Sequence, residues 1–201
     1  MIKVLLDNGH GENTPGKRSP KRADGSQLLE WQYAREIASE VYKRLIEKGV
    51  DCMLLVKENV DVPLAERVRR ANEEAAKHGK SKTILVSVHC NAAGNGSAWM
   101  AARGWSVYID PTASTNSKRL ATTFANVAES VGMKVRKETN DRNYWVSSLY
   151  ICKHTTCPAV LTENLFMDNE DDCRFLLSSE GKAAIVKLHV DSILKYIEQY
   201  A

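Results

Sequence analysis

Thr83-Ile84-Leu85-Val86-Ser87-Val88-His89-Cys90-Asn91 is a near-continuous apolar, β-branched run of strand length that ends in an imidazole and a carboxamide. Such a run fits a central strand buried on both faces, with polar groups emerging at its carboxyl end. In open α/β sheets that edge is where ligands bind. Ile2 to Asp7 is a second strand candidate and leads into Asn8-Gly9-His10-Gly11. Ala159 to Thr162 is a third and leads into Glu163-Asn164. Three strands therefore each carry an imidazole or a carboxylate to what reads as a single rim.

The segments between these strands have helical spacing. Trp31, Ala34, Ile37, Ala38, Val41 and Leu45 recur on one face, and Gly49 closes the segment as a helix C-terminal glycine does. Asp51 to Val56 reads as a strand. Asp61-Val62-Pro63 then opens a second helix with a capping acid and an early proline; Leu64, Val68, Ala71 and Ala75 form its stripe and Gly79 ends it. Strand, helix, strand, helix, strand is the alternation of a mainly parallel sheet with right-handed crossovers. Further on, Trp105 to Ile109 predicts a strand, Lys118 to Val131 a helix, Asp168 to Leu177 a short helix, and Lys182 to Tyr200 a last one. Residues 12–27 and 92–104 are expected to be long loops, the second exposing Trp99 and Met100 beside the rim. Residues 134–150 give no periodic signal.

With 201 residues, 43% hydrophobic and 26% charged, the chain has the balance of one soluble α/β domain, residues 1–201, with no internal repeat. Its net charge of +3 is too small to argue for a nucleic-acid partner. No apolar run reaches membrane-spanning length, and strand residues follow Met1 directly where a signal peptide would have its basic and apolar regions. Five cysteines without a dense framework fit a reducing compartment. The expectation is a monomer made in the cytoplasm.

Two histidines at one sheet edge direct attention to metal chemistry. His10, His89 and one carboxylate would make a three-ligand zinc site with an open position, the arrangement used to activate water for hydrolysis. Taken singly, each histidine is more often a hydrogen-bonded core or loop residue; sharing an edge shifts that balance. Glu30, at the mouth of the first helix, is a candidate third ligand, or simply a partner of the helix dipole. Glu163 ends a buried strand, where an acid needs a metal, a cation or water, so it reads as a general base or as half of an ion pair. Cys152, His154 and Cys157 match no standard structural zinc spacing. Cys90 follows His89 in a strand and so faces the opposite side, which argues against a Cys-His nucleophile pair.

Asp7-Asn8-Gly9-His10-Gly11, Glu30, Leu64-Ala65-Glu66-Arg67 leading to Ala71-Asn72, Ser87-Val88-His89-Cys90-Asn91-Ala92, and Leu161-Thr162-Glu163-Asn164-Leu165-Phe166-Met167-Asp168-Asn169 occur in one order along the chain. Together they resemble the zinc-dependent N-acetylmuramoyl-L-alanine amidases, amidase family 3, of the autolysin and phage-endolysin type. The resemblance implies a single catalytic domain with a six-stranded mixed sheet flanked by helices on both faces. It implies one Zn²⁺ held by His10, Glu30 and His89, with Glu163 as the catalytic glutamate. The implied substrate is peptidoglycan or a muropeptide, cut at the amide between N-acetylmuramic acid and the L-alanine of the stem peptide. No separate cell-wall-binding domain is expected, and action on the wall would follow export or lysis. The family usually has proline where Asn8 stands and often glycine where Glu12 stands, which bears on loop shape and leaves the ligands intact. A hydrolase of the same fold acting on soluble muropeptides or other N-acyl peptides is the nearest alternative. A non-catalytic peptidoglycan-binding module is a further one, and its signature would be loss of a ligand or of the base; all four residues are present. Arg103, Asn91 and Arg142 are candidate substrate contacts.

Overall fold

A computed structural model describes residues 1–200. Its strands are β1 (Lys3–Asn8), β2 (Cys52–Leu54), β3 (Thr83–Asn91), β4 (Ser106–Ile109), β5 (Trp145–Val146) and β6 (Ala159–Phe166). Its α-helices are α1 (Glu30–Glu47), α2 (Leu64–His78), α3 (Thr115–Ser130), α4 (Tyr150–His154), α5 (Glu170–Leu177) and α6 (Ser179–Tyr200). The six strands form one sheet in the order β2-β1-β3-β6-β4-β5. All neighbours are parallel except β4 and β6. The chain leaves β1 toward one edge of the sheet and leaves β3 toward the other. A crevice therefore opens beyond the carboxyl ends of these two strands, the switch point where open α/β sheets bind ligands.

Strand alternation divides the core. Val4, Leu6, Ile84, Val86, Val88 and Val160 pack under α1, α3 and α6, while Leu5, Leu85, Ala159 and Leu161 pack under α2 and α4. Each fully buried aliphatic side chain stabilises the fold by about 1.5–3 kcal/mol relative to exposure, so the two layers fix the register of the central strands. Gly49 (φ +73°) ends α1: its N–H donates to Ile46 O and that of Val50 to Leu45 O, a Schellman closure that needs a left-handed residue.

Several elements depart from the sequence reading. The residue capping α2 is Pro63, without a side-chain bond, because the Asp61 carboxylate is taken by Thr14 and Arg67. Leu64 is half exposed, and Trp31 is only partly buried, against the Arg35 guanidinium, while Tyr33 fills the interior. Trp99 is partly buried against the core instead of exposed. β6 continues past Thr162 to Phe166 because the neighbouring strands β3 and β4 extend its ladder, so Glu163 sits within the strand. α5 begins at Glu170, capped by Asn169, while Asp168 is drawn away to the backbone N–H groups of Ala93 and Gly94. Residues 134–150, aperiodic in sequence, hold the two-residue β5 and lead into α4. No helix among the described residues is long and apolar enough to cross a membrane.

Candidate metal centre

His10, Glu30 and His89 arrive from three elements and meet at the crevice. β1 ends at Asn8, and the turn Gly9-His10-Gly11 carries His10 back over the sheet edge in a left-handed conformation (φ +62°) that non-glycine residues seldom adopt. Both flanking glycines are sterically required. A Cβ on Gly9 would lie 2.3 Å from Cε1 of His89, and one on Gly11 would lie 2.0 Å from the backbone nitrogen of Asp61. His89 is the seventh residue of β3 and projects onto the α2 side of the sheet; Cys90 projects into the opposite core. Glu30 is the first residue of α1, and it is buried.

Glu30 joins the two imidazoles. Its Oε1 lies 3.1 Å from His89 Nδ1 and its Oε2 lies 3.3 Å from His10 Nε2. Oε1 also accepts from the backbone N–H of Cys90, which fixes the carboxylate's orientation. Burial alone would raise the Glu30 pKa, but the contacts with His10 and His89 outweigh it, and the carboxyl is held far below its usual range. Burial likewise pushes the His89 pKa down, and Glu30 more than offsets that, so it ends above its ordinary value. One ligand atom from each of the three residues lies within 4.8 Å of the others. Two imidazole nitrogens and a carboxylate oxygen this close suit a divalent ion with bonds of about 2.0–2.2 Å after small side-chain adjustments. Among the described residues no other histidine, cysteine and carboxylate group converges in this way.

A buried arginine sets the shape of the His10 turn. The Arg67 guanidinium, 2% exposed, donates to Asp7 Oδ1 at 2.8 Å, to Asn8 O at 2.6 Å, to His10 O at 3.1 Å and to Asp61 Oδ1 at 3.0 Å. Nε donates to Val62 O at 2.7 Å. Every direction of the guanidinium fork is used, and two of its acceptors are the main-chain carbonyls of Asn8 and His10. Asp7 is held from its other side by the Ser87 hydroxyl.

Glu163 stands beside the three candidate ligands. It pairs in register with His89 on β3 and with Ser106 on β4, so all three side chains share one face of the sheet. Immediately after it β6 carries one extra residue relative to β3, with Leu165 left-handed (φ +64°), a bulge of the kind found at strand ends and active sites. Asn164 holds this irregularity, donating to His89 O and accepting from the Trp105 indole. Glu163 as a whole is partly buried, and its Oε2 is sealed from solvent without a hydrogen-bond partner, as is the Ser106 hydroxyl. Burial pushes the Glu163 carboxyl up to about 7, against the lowering influence of His89 and the more distant Lys17 and Arg136. A carboxyl with that pKa can exchange a proton near neutrality. The cleft in front of the ligands is lined on its other side by Leu64, Leu149, Tyr150, Ile151 and Leu161.

The remaining sequence candidates are engaged elsewhere. Arg103 pairs with Asp171 and Asp172, Arg142 with Glu138, and the Asn91 side chain accepts from the Ala92 N–H. Cys152 and Cys157 are buried in the core under α2, and His154 stacks on Tyr150. Arg67 belongs to the Leu64-Ala65-Glu66-Arg67 stretch, in which nothing local marks it as the organiser of the His10 turn. Its partners come from β1, the turn after it, and the loop before α2.

Comparison with known proteins gives one family. A family model described as N-acetylmuramoyl-L-alanine amidase matches residues 4–195. The N-acetylmuramoyl-L-alanine amidase CwlM of Bacillus licheniformis is 26% identical over 197 residues, covering 97% of this chain and 68% of the relative. The endolysin of Bacillus phage SPP1 is 28% identical over 196 residues, covering 96% and 65%. The chain thus spans about two thirds of the length of these relatives. A crystal structure of an N-acetylmuramoyl-L-alanine amidase from Clostridium difficile 630 superposes with a TM-score of 0.80 over 100% of this chain and 98% of the other, at 22% identity. The catalytic domain of CwlV from Paenibacillus polymyxa gives 0.79 over 98% and 99%, also at 22%. At that identity these two structures speak to the fold alone.

Proposed function

Because the chain belongs to the N-acetylmuramoyl-L-alanine amidase family, we propose that it hydrolyses the amide between N-acetylmuramic acid and L-alanine, using one zinc ion held by His10, Glu30 and His89. The observation that carries this reading is the convergence of these three donors within 4.8 Å at the switch-point crevice, with Glu163 beside them on the same sheet face. Zinc, when bound, supplies a Lewis acid for the scissile carbonyl and lowers the pKa of water toward neutrality. Glu163 takes the proton of the attacking water and delivers one to the departing alanine nitrogen, so that the amide C–N bond breaks with a neutral amine leaving. Glu30 neutralises part of the ion's charge and holds both imidazoles in position; the Arg67 network keeps the His10 turn from relaxing. Peptidoglycan or its soluble muropeptides are the substrate, presented along the cleft between Leu64, Tyr150 and the ligands.

The experiment is metal analysis of the purified protein together with mass spectrometry of a peptidoglycan digest. The expected result is one zinc per chain and release of stem peptides with a free L-alanine amine, the glycan strands remaining intact. A zinc-loaded preparation that frees no alanine amine from peptidoglycan or from soluble muropeptides would remove the assignment.

A further inference from the structure

Arg136 lies in the segment that pairs with the start of β4. Trp105 bridges Val135 in parallel, the Arg136 N–H donates to Trp105 O at 2.8 Å, and Arg136 O accepts from the Trp145 indole at 2.9 Å. That register sets Arg136 opposite Ser106, which is itself opposite Glu163, which is opposite His89. One row of side chains on one face of the sheet therefore runs His89, Glu163, Ser106, Arg136. The backbone of Arg136 is about 10 Å from that of Glu163, two strand spacings.

The guanidinium in this row is held without a charge partner. Its central carbon sits 5.2 Å from the centroid of the Trp145 ring and 4.9 Å from that of Phe166. Both rings are within cation–π distance, a contact that uses the charge of the planar group without consuming its N–H donors. Among the described residues the guanidinium has no hydrogen-bond or ion-pair acceptor, in contrast to Arg67, Arg70, Arg103 and Arg142, each paired with a carboxylate. Gly104 lets the stem pass, since a Cβ there would come within 3.1 Å of Arg136 Cγ. A preoriented planar fork with its edge free is the geometry that receives a carboxylate bidentately.

We propose that Arg136 is a substrate-binding residue that receives a free carboxylate on the peptide side of the scissile amide, carried by the residue following the leaving alanine. The inference rests on the amidase reading and deepens it. Two extended residues span about 7 Å, which together with the arginine's own reach covers the separation from Glu163. The site then selects acidic stem peptides over those in which that carboxylate is a carboxamide. Charge-assisted pairs of this kind are worth roughly 10- to 100-fold in binding.

The test compares two muropeptides that differ only in carboxylate or carboxamide at the second residue. The zinc-loaded wild type is expected to favour the carboxylate form by roughly 10- to 100-fold in kcat/KM. In Arg136→Gln the ratio is expected to fall to about 1, and Arg136→Lys, which keeps a point charge and loses the fork, should lie between. Circular dichroism and zinc content of both variants control for folding. Equal rates on the two substrates in the wild type, or a preference that survives in Arg136→Gln, would overturn the proposal. A second arm does not depend on turnover: titration with C-terminally blocked tripeptides that begin with L-alanine and carry glutamate or glutamine second. Selective binding of the glutamate peptide that Arg136→Gln abolishes supports the site even if no muropeptide is cleaved, and equal binding refutes it. Failure of the amidase reading would instead appear as absence of free alanine amine from both muropeptides.

Discussion

Nη2 of Arg67 donates to the main-chain carbonyl of His10 over 3.1 Å, although 57 positions separate them in the chain. Nη1 of the same group holds Asn8 O and Asp7. One buried cation thus clamps the end of β1 and the main chain that carries the His10 imidazole.

Arg67→Met leaves the buried Asp7 carboxylate and three carbonyls without their donor. Breaking a buried ion pair by removing one partner costs about 3–5 kcal/mol, to be read from the urea midpoint of the metal-free protein. Zinc affinity, measured by competition with a chelator, is expected to fall by about 10- to 100-fold, the usual effect of losing a residue that orients a ligand. Arg67→Lys should recover only part of both, because an ammonium cannot serve five acceptors in one plane. Unchanged zinc affinity in a folded Arg67→Met protein would show that the turn holds its shape unaided.

Gly9→Ala tests the crowding at the ligands directly. The added methyl would lie 2.3 Å from Cε1 and 2.5 Å from Nδ1 of His89. Either the ring or the turn must move, and the nitrogen that faces Glu30 moves with it. The variant is expected to keep its secondary structure by circular dichroism and to bind zinc at least about tenfold more weakly. Wild-type zinc retention would mean that the imidazole has more room than its surroundings suggest.

Glu163→Gln separates the proton-transfer role from the ligand role. The substitution preserves volume and removes a group that touches none of the proposed ligand atoms through a hydrogen bond. Zinc should stay at one per chain while kcat drops by about 10²- to 10⁴-fold, the range for loss of a positioned acid–base group. Loss of zinc in this variant, or undiminished turnover, contradicts the role assigned to it.

His189 provides a pH dependence remote from the metal centre. It lies on α6, fully buried, with Nδ1 donating to Ile185 O at 2.8 Å and Nε2 accepting from the Thr162 hydroxyl at 3.0 Å. Burial lowers its pKa from 6.5 to about 4, the Ile185 contact opposing this. Between those values the unfolded chain binds a proton that the folded protein refuses. The stability that neutral His189 contributes is therefore complete above pH 6.5 and is lost as the pH falls toward 4, a change on the order of 3 kcal/mol. His189→Gln does not titrate, so the stability difference between wild type and variant should change by that amount between pH 7.5 and pH 4. A pH-independent difference would mean that the imidazole takes up its proton as readily in the fold as in the unfolded chain.

By itself the sequence determined the main strands and helices and the residues that converge on the crevice. Apolar period and turn glycines are local properties, and they were sufficient to outline β1, β3, α1 and the mainly parallel βαβ alternation. His10 and His89 were legible as neighbours because strand ends in such an order face one rim, whereas Glu30 and Glu163 were joined to them only by the resemblance to the amidase family. What needed the tertiary structure were relationships with no local signature. β5 is two residues long and exists only because Tyr108 and Ile109 are there to pair with it. Asp61 has the composition of a helix cap, yet a buried guanidinium six residues later competes for it and wins. Glu163 lies within β6 because β3 and β4 extend its ladder on both sides. Arg136 looks like any basic loop residue until the fold brings the Trp145 and Phe166 rings within cation–π distance of its guanidinium. A periodicity reports which side of an element is apolar; which charges meet across elements is decided by register and by the desolvation each buried charge must offset.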